Sequence, residues 1–403
     1  MMHNLLIAGP ERPIRTKSED LLDRGRFVRR LCDAIINRQT RLATGVTLGV
    51  TGEWGSGKSS ILHLLHECID EQYSNAIVIR FDPWLISGRD DLIRHFFLDF
   101  QASIKEKPGL REKLPDLVDK IAEYSAYLAP LVNLNLPGAG DALSGGVNAV
   151  SRAISRETTL HAQREELLRT LGDASAPIVV LIDELDRVED VEIRAIAQLV
   201  GAIADFPSIS YVLAYDHNRV IQALGAGENG IQRSERGRAY LEKIVQFQIA
   251  LPVTLDGELK ALLEAELKNL ATDVALPDGW QNMKRFQLLL NTMIPHPITT
   301  PRDIKRLLGT YHVIRSMLKG EVEWVDLLAF SALLVKAPAI VAKLRQQPDS
   351  VVTNPLSEQV SFERYSQVES KPEDRLAQFL PEEEAASGVA ALLSFLFPLF
   401  ATG

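Results

Sequence analysis

The apolar positions of this chain follow two patterns. Up to about residue 253 they form short unbroken runs: GVTLGV at 45–50, AIVIRF at 76–81, PIVVLID at 177–183 and SISYVLAY at 208–215, with a weaker fifth, FQIALPV, at 247–253. Runs without polar alternation predict strands covered on both faces, as in a parallel sheet. Between them lie stretches with helical spacing: SSILHLLHECIDEQ, DLIRHFFLDFQASIKEK and VEIRAIAQLVGAIAD. Strands alternating with helices predict an α/β fold built from βα repeats. From about 100 to 175 the alternation lapses, so a long insertion is expected there, with the helix LHAQREELLRTLGDA leading back to the third strand. Beyond 253 only helical spacing remains, in LKALLEAELKNLA, GWQNMKRFQLLLNTM, PRDIKRLLGTYHVIRSML and WVDLLAFSALLVKAPAIVAKLRQ. The expected organisation is a core over 1–255 carrying the insertion, an all-helical domain over 256–345, and an acidic linker with an apolar C-terminal segment over 346–403.

Composition narrows the class. At 403 residues the chain is too long for one core. Its 46% hydrophobic and 24% charged residues are ordinary for a globular protein. A net charge of −9 argues against a protein that coats nucleic acid over its whole surface. Cys32 and Cys68 lack metal-ligand spacing and form no disulfide framework, which fits a reducing, cytoplasmic setting. The N-terminus lacks the basic region and long apolar core of a signal peptide. A membrane span needs about 20 mostly apolar residues. The stretch YSAYLAPLVNLNLPGAGDALSGGVNAV is interrupted by Gly, Pro and Asn, and no span is expected there. The uncharged ending AASGVAALLSFLFPLFATG contains Pro398 and reads as a buried terminal helix of a chain cut short of its natural end.

The chemistry sits where the first two patterns meet. Gly52-Glu53-Trp54-Gly55-Ser56-Gly57-Lys58-Ser59, followed by Ser60, fits G-x-x-x-x-G-K-[ST] between an apolar strand and an amphipathic helix. Glycines let successive N–H groups converge on one anion. Lys58 can reach the β and γ phosphates, the Ser59 hydroxyl can ligand Mg²⁺, and the helix start directs its dipole at the phosphates. The third strand ends in IVVLIDELDR. There Asp183 suits the Mg²⁺ shell and Glu184 suits orienting a water for attack on the γ phosphate. The strand at 76–81 is expected between the P-loop strand and the acidic strand. That order, with a glutamate beside the metal-binding aspartate, points to an ATP-hydrolysing machine. Asp216, at the end of the fourth strand, suits either a γ-phosphate contact or a simple strand-end turn.

Several of these stretches occur together, in order: GEWGSGKSS, FDPW, LIDELDR, LAYD, YLEKIVQFQIALP and TPRDIKRLLG. Over about residues 20–340 the chain resembles the KAP family of P-loop NTPases. The resemblance implies an additional-strand P-loop ATPase using ATP and Mg²⁺, with a helical lid. Many relatives are bacterial, and several are tied to phage exclusion or mobile defence operons, which implies protein partners from the same operon. Many relatives carry transmembrane helices between the two phosphate motifs; the insertion here is too polar for that. Relatives usually have Asp where Glu184 stands, and Glu retains the water-orienting chemistry.

The resemblance also makes Arg302 a sensor arginine that meets the phosphates when the lid closes. TTPRDIKR starts a helix, with Thr300 as N-cap, Pro301 in the first position and Asp303 three residues after the cap. The plainer alternative for Arg302 is a surface arginine pairing Asp303. Arg187 reads as a brace for Asp186 in preference to a finger on a neighbour's nucleotide, and Trp54 and Trp84 read as packing residues. The basic RGRFVRR, with Arg38 and Arg41, is either a solvated helix face or a nucleic-acid contact. Eight histidines lack ligand spacing, so no metal beyond Mg²⁺ is expected. The leading expectation is Mg²⁺-dependent ATP hydrolysis that switches a partner, with homo-oligomerisation open. An ATP-bound scaffold with negligible turnover and a nucleic-acid-stimulated ATPase are the alternatives.

Overall fold

The computed structural model describes residues 11–86, 88–105, 165, 176–203, 209–227, 230–270, 276–277, 279–318, 321–346 and 383–397. Most of the expected insertion, with its returning helix, therefore lies outside the described residues, as does the acidic linker. The chain divides into two units, 13–252 and 253–403 together with 1–12.

In the first unit the apolar runs form β1 (Thr47–Thr51), β2 (Ile77–Phe81), β3 (Ile178–Ile182), β4 (Ile209–Tyr215) and β5 (Phe247–Ala250). They make one parallel sheet in the order β2-β3-β4-β1-β5. Every residue of β3 and β4 is buried, which is why these two read as continuous apolar runs. The sheet order corrects one expectation. The strand inserted between β1 and β3 is β4; the strand at 76–81 follows β1 in the chain but pairs only with β3, at the sheet edge.

Helices cover both faces. On one, Leu48, Val50, Val179, Leu181, Val212 and Ala214 pack against α1 (Gly25–Ile35) and α2 (Lys58–Gln72). The basic RGRFVRR stretch begins just before α1, which buries Val28, Leu31, Cys32 and Ile35, one stripe at helical spacing. On the other face, alternate strand residues such as Ile79, Val180, Tyr211 and Leu213 pack against α3 (Arg89–Lys105), α4 (Asp190–Ile203), α5 (His217–Leu224) and α6 (Gly230–Ile244). The α5–α6 hairpin is closed by two glycines. A Cβ at Gly225 would lie 1.8 Å from the Arg233 carbonyl oxygen, and one at Gly237 would lie 2.0 Å from that of Ile221.

The second unit is helical throughout its described part: α7 (Asp256–Leu270), α8 (Lys284–Met293), α9 (Pro301–Leu318), α10 (Trp324–Lys336), α11 (Pro338–Gln346) and α12 (Glu383–Leu396). The apolar pattern over 324–346 is two helices, bent by 111° at the break before Pro338. Trp280, Phe286 and Trp324 form an aromatic centre with ring centroids 5.1–6.0 Å apart. The terminal α12 buries Val389, Ala390 and Leu393 against α10 and α11, as its composition suggests. Among the described residues no single helix is long and apolar enough to cross a membrane.

Asp303 holds the start of α9. Its carboxylate accepts from the Thr299 and Thr300 N–H groups, both at 3.1 Å, and from Lys336 at 3.0 Å, while its own N–H donates to Thr300 Oγ1. Burial alone would raise this pKa; the Thr299 N–H and Lys336 outweigh it and hold the carboxyl below its ordinary value. A depressed carboxylate pKa adds stability that is present above the unfolded-state value and is lost as pH falls through the folded one. Asp303→Ala, which strands these donors and Lys336, is expected to cost about 2–4 kcal/mol in urea unfolding at neutral pH. Asp303→Asn should also flatten the acid limb of the wild-type stability curve. Equal unfolding midpoints for wild type and Asp303→Ala would remove Asp303 as the anchor of this helix.

Candidate functional site

The loop between β1 and α2 turns through Gly55 (φ 90°) and Gly57 (φ 103°), angles that residues with a Cβ rarely adopt. A Cβ at Gly52 would lie 2.6 Å from Ser56 Oγ and 3.1 Å from Leu251 Cδ1, so any other residue there would push the Ser56 hydroxyl out of its place. The Gly52 N–H donates to the Tyr215 carbonyl at 3.3 Å, which ties the loop to β4. The Glu53 carbonyl accepts from Ser56 N (3.2 Å) and Ser56 Oγ (2.7 Å). The loop thus delivers the N-terminus of a four-turn helix, with its free N–H groups, to the end of the sheet.

Lys58 opens that helix and is buried. Its Nζ donates to the Gly52 carbonyl at 2.8 Å and the Glu53 carbonyl at 3.2 Å, and pairs with Asp186 Oδ2 at 3.3 Å. Ser59 Oγ donates to Asp183 Oδ1 at 3.1 Å, joining the two motifs directly. The Glu184 N–H donates to the same Asp183 oxygen at 2.8 Å. Ser60 Oγ accepts the Ile14 N–H at 3.3 Å and so fastens the N-terminal segment to α2. Trp54 and Trp84 are 56% and 55% exposed, which corrects the expectation that they are packing residues. The loop is held by its own backbone bonds and by Gly52 against Leu251.

After β3 the chain makes an unusual turn. Glu184 has φ 54°, a left-handed conformation costing a residue with a side chain about 1 kcal/mol or more. It feeds a 3₁₀ turn over Leu185–Arg187. Because of that turn, Arg187 Nη1 pairs with Glu184 Oε1 at 2.6 Å, while Asp186 pairs with Lys58. Arg187 is therefore a brace for Glu184, not for Asp186. The segment is clamped from behind: Asp190 accepts from Arg219 at 2.5 Å and from Arg233 at 3.0 Å, and Arg219 also donates to the Val188 carbonyl at 3.0 Å. Asp216 caps α5, accepting the Arg219 N–H at 3.0 Å, which is the turn role.

Two acids at this site escape motif reading. Asp186, expected as the residue that Arg187 braces, is the ionic partner of the loop lysine. Asp82, just after β2, accepts the Trp84 N–H at 3.2 Å and faces the same carboxylates. Burial raises the pKa of Asp82, Asp183 and Glu184, and carboxylate repulsion among them adds to the rise for Asp183 and Glu184. Arg187 pulls Asp82 and Glu184 back down. Crowded hard oxygen donors beside a serine hydroxyl suit Mg²⁺, which takes one or two protein ligands and fills its shell with water and phosphate oxygens. Among the described residues no cluster of three His, Cys, Asp or Glu side chains makes a metal cage by itself. Ser59 and Asp183 are the donors that fit. Arg302 stands in the second unit, in the first turn of α9. Its Nε lies 3.5 Å from Glu11 Oε2, and its side chain is only 19% exposed, so it is not a freely solvated surface charge.

Residues 25–318 match the KAP family P-loop domain. The phage T7 exclusion protein of Escherichia coli (strain K12) is 25% identical over 319 residues, covering 73% of this chain and 42% of that protein. The chain thus spans about two fifths of the length of this curated relative. Among solved structures, the Aeropyrum pernix ORC2 protein (ADPNP–ADP complexes) aligns with TM-score 0.45 and 11% identity over 86% of this chain and 74% of that one. The Aeropyrum pernix ORC1 protein in complex with DNA aligns with TM-score 0.40 and 13% identity over 93% and 83%.

Proposed function

The chain belongs to the KAP family of P-loop NTPases, and from that premise we propose that it hydrolyses ATP with Mg²⁺ to switch a protein partner in phage exclusion. The observation that carries this reading is the direct bond from Ser59 on the loop helix to Asp183 at the end of β3. It brings a phosphate cradle, a metal-compatible oxygen pair and the neighbouring Glu184 to one place. Mg²⁺, held by Ser59 and Asp183, would supply positive charge that offsets the charge of the phosphates. Lys58 and the N–H groups at the start of α2 hold the phosphate oxygens. Glu184 orients water and takes its proton, a role that requires it to leave Arg187. The likeness to a phage exclusion protein supports the defence setting; an operon-encoded protein is proposed as the partner and the cytoplasm as the place of work. Turnover by the purified chain, measured with ATP or GTP and with Mg²⁺ or EDTA, tests the reading. Mg²⁺-dependent phosphate release from ATP is expected, and none under any condition would refute it.

One observation favours the scaffold alternative. The Glu184 carboxylate is bound to Arg187 at 2.6 Å, a contact that opposes hydrolysis for as long as it lasts. Stoichiometric ATP binding without turnover, with or without added DNA, would select it.

Arg302 is proposed to read the γ phosphate during turnover. To do so it must exchange Glu11 for phosphate oxygens, and such an exchange favours ATP over ADP. Arg302→Ala is expected to lower turnover roughly tenfold or more while changing ADP affinity less than threefold. Hydrogen exchange over 296–310 should slow with ATP more than with ADP. Equal protection by both nucleotides, with normal turnover in Arg302→Ala, would remove Arg302 from the site.

A further inference from the structure

The two cysteines lie far apart in the chain, but the fold brings them together. Cys32 is on α1 and Cys68 on α2, two helices that pack against each other, in the same core cluster, and the two thiols are close enough to perturb one another. Cys68 also accepts from Gln72 Nε2 at 3.0 Å. The two sulfurs differ in access. Cys32 is fully enclosed, whereas Cys68 is 8% exposed and lines a surface pocket with Lys17, Asp20, Arg29, Glu67 and Gln72. One reachable sulfur backed by one enclosed thiol is the arrangement of a peroxidatic cysteine with its resolving partner.

We propose that Cys32 and Cys68 form a peroxide-responsive thiol pair that closes to a disulfide joining α1 to the phosphate-loop helix. The neighbouring Cys32 lowers the pKa of Cys68, helped by Gln72 and Lys17 and opposed by burial and Glu71; the same neighbour, with burial, raises that of Cys32. Cys68 is thus the thiolate and Cys32 the proton carrier. The Cys68 thiolate attacks one oxygen of a hydroperoxide; the O–O bond breaks, sulfur is oxidised to the sulfenic acid, and the other oxygen leaves as water or alcohol. Cys32 sulfur then attacks Cys68 sulfur. The S–S bond forms, the S–O bond breaks, and the departing hydroxide takes the Cys32 proton as water. In sum, two thiols and one hydroperoxide give one disulfide, one water and one further water or alcohol. The ring closed in this way contains β1 and the whole phosphate loop.

The test is a peptide map of the full chain, freed of reductant, treated with hydrogen peroxide and quenched in acid with an alkylating agent. The expected product is the Cys32 peptide linked to the Cys68 peptide within one chain, lighter than the pair by two hydrogens and restored by dithiothreitol. In Cys32→Ser, Cys68 should stop at the sulfenic acid, trapped by dimedone. In Cys68→Ser, Cys32 should react at least tenfold more slowly than Cys68 does in wild type. Both thiols remaining alkylatable in wild type, sulfinic acid at Cys68 with Cys32 still reduced, or linkage only between chains would each overturn the proposal.

Discussion

Glu184→Gln is expected to lower steady-state ATP turnover by roughly a hundredfold or more while leaving ATP affinity within a few-fold of wild type. The substitution keeps the shape of the side chain and removes its capacity to take a proton. It also keeps the left-handed backbone at 184, so the 3₁₀ turn that places Asp186 and Arg187 is retained. A strained non-glycine residue persists only where its surroundings force it, and here the side chain it presents is that of the proposed base. Arg187 loses its ionic partner in this variant. Arg187→Ala is therefore the control, because it frees Glu184 without removing it. If Glu184→Gln turns over ATP as wild type does, the base lies elsewhere, and Asp82 is the next carboxylate to test. Burial raises the Glu184 pKa, so wild-type turnover should fall on acidification above the ordinary glutamate range.

Lys58→Ala is expected to weaken ATP binding at least tenfold, about 1.4 kcal/mol. The loop amides alone leave much of the phosphate charge uncompensated, and Lys58 is the buried cation at the cradle. Its contacts complicate the experiment in an instructive way. Lys58 and Asp186 are both more than nine-tenths buried, and removing one partner of such a pair costs roughly 3–5 kcal/mol of stability. Lys58→Ala should therefore also unfold at lower denaturant, and affinity must be titrated where the variant is fully folded. The double variant Lys58→Met with Asp186→Asn removes both charges and should recover stability without recovering affinity. Asp186→Asn alone should tighten ATP binding several-fold, since it removes the carboxylate that competes with phosphate for the ammonium. Unchanged affinity in Lys58→Ala would sink the phosphate-cradle assignment.

The sheet was legible because its central strands are buried on both faces. Nothing in β3 or β4 alternates, and a run such as IVVLI has no solvated reading. β5 was faint for the opposite reason: it is an edge strand with Phe247 exposed. The order of strands is a different matter. Chain order places 76–81 between the two motifs, but packing sends it to the edge and puts β4 at the centre. Motif spacing identified Lys58, Ser59, Asp183 and Glu184, whose contacts follow from a strand, a loop and a helix start. It missed Asp186 as the partner of Lys58 and misassigned Arg187. Both errors sit in the turn that Glu184 opens in a left-handed conformation, where Asp186 pairs with Lys58 and Arg187 pairs with Glu184. The break before Pro338 was hidden because apolar spacing continues across it.

The α5–α6 hairpin sets a tolerance for the end of the sheet that carries the acidic turn. Its helices meet backbone to backbone, with hydrogen atoms at 225 and 237 where any other residue would carry a carbon. The arginines that reach Asp190 start from those same two helices. The hairpin therefore works as a gauge block. Its thickness fixes how far Arg219 and Arg233 extend, and so where the acidic turn comes to rest relative to the phosphate loop. A single methyl group inserted at either glycine would be passed on, through an arginine and Asp190, to the chain segment that follows Asp186 and Glu184.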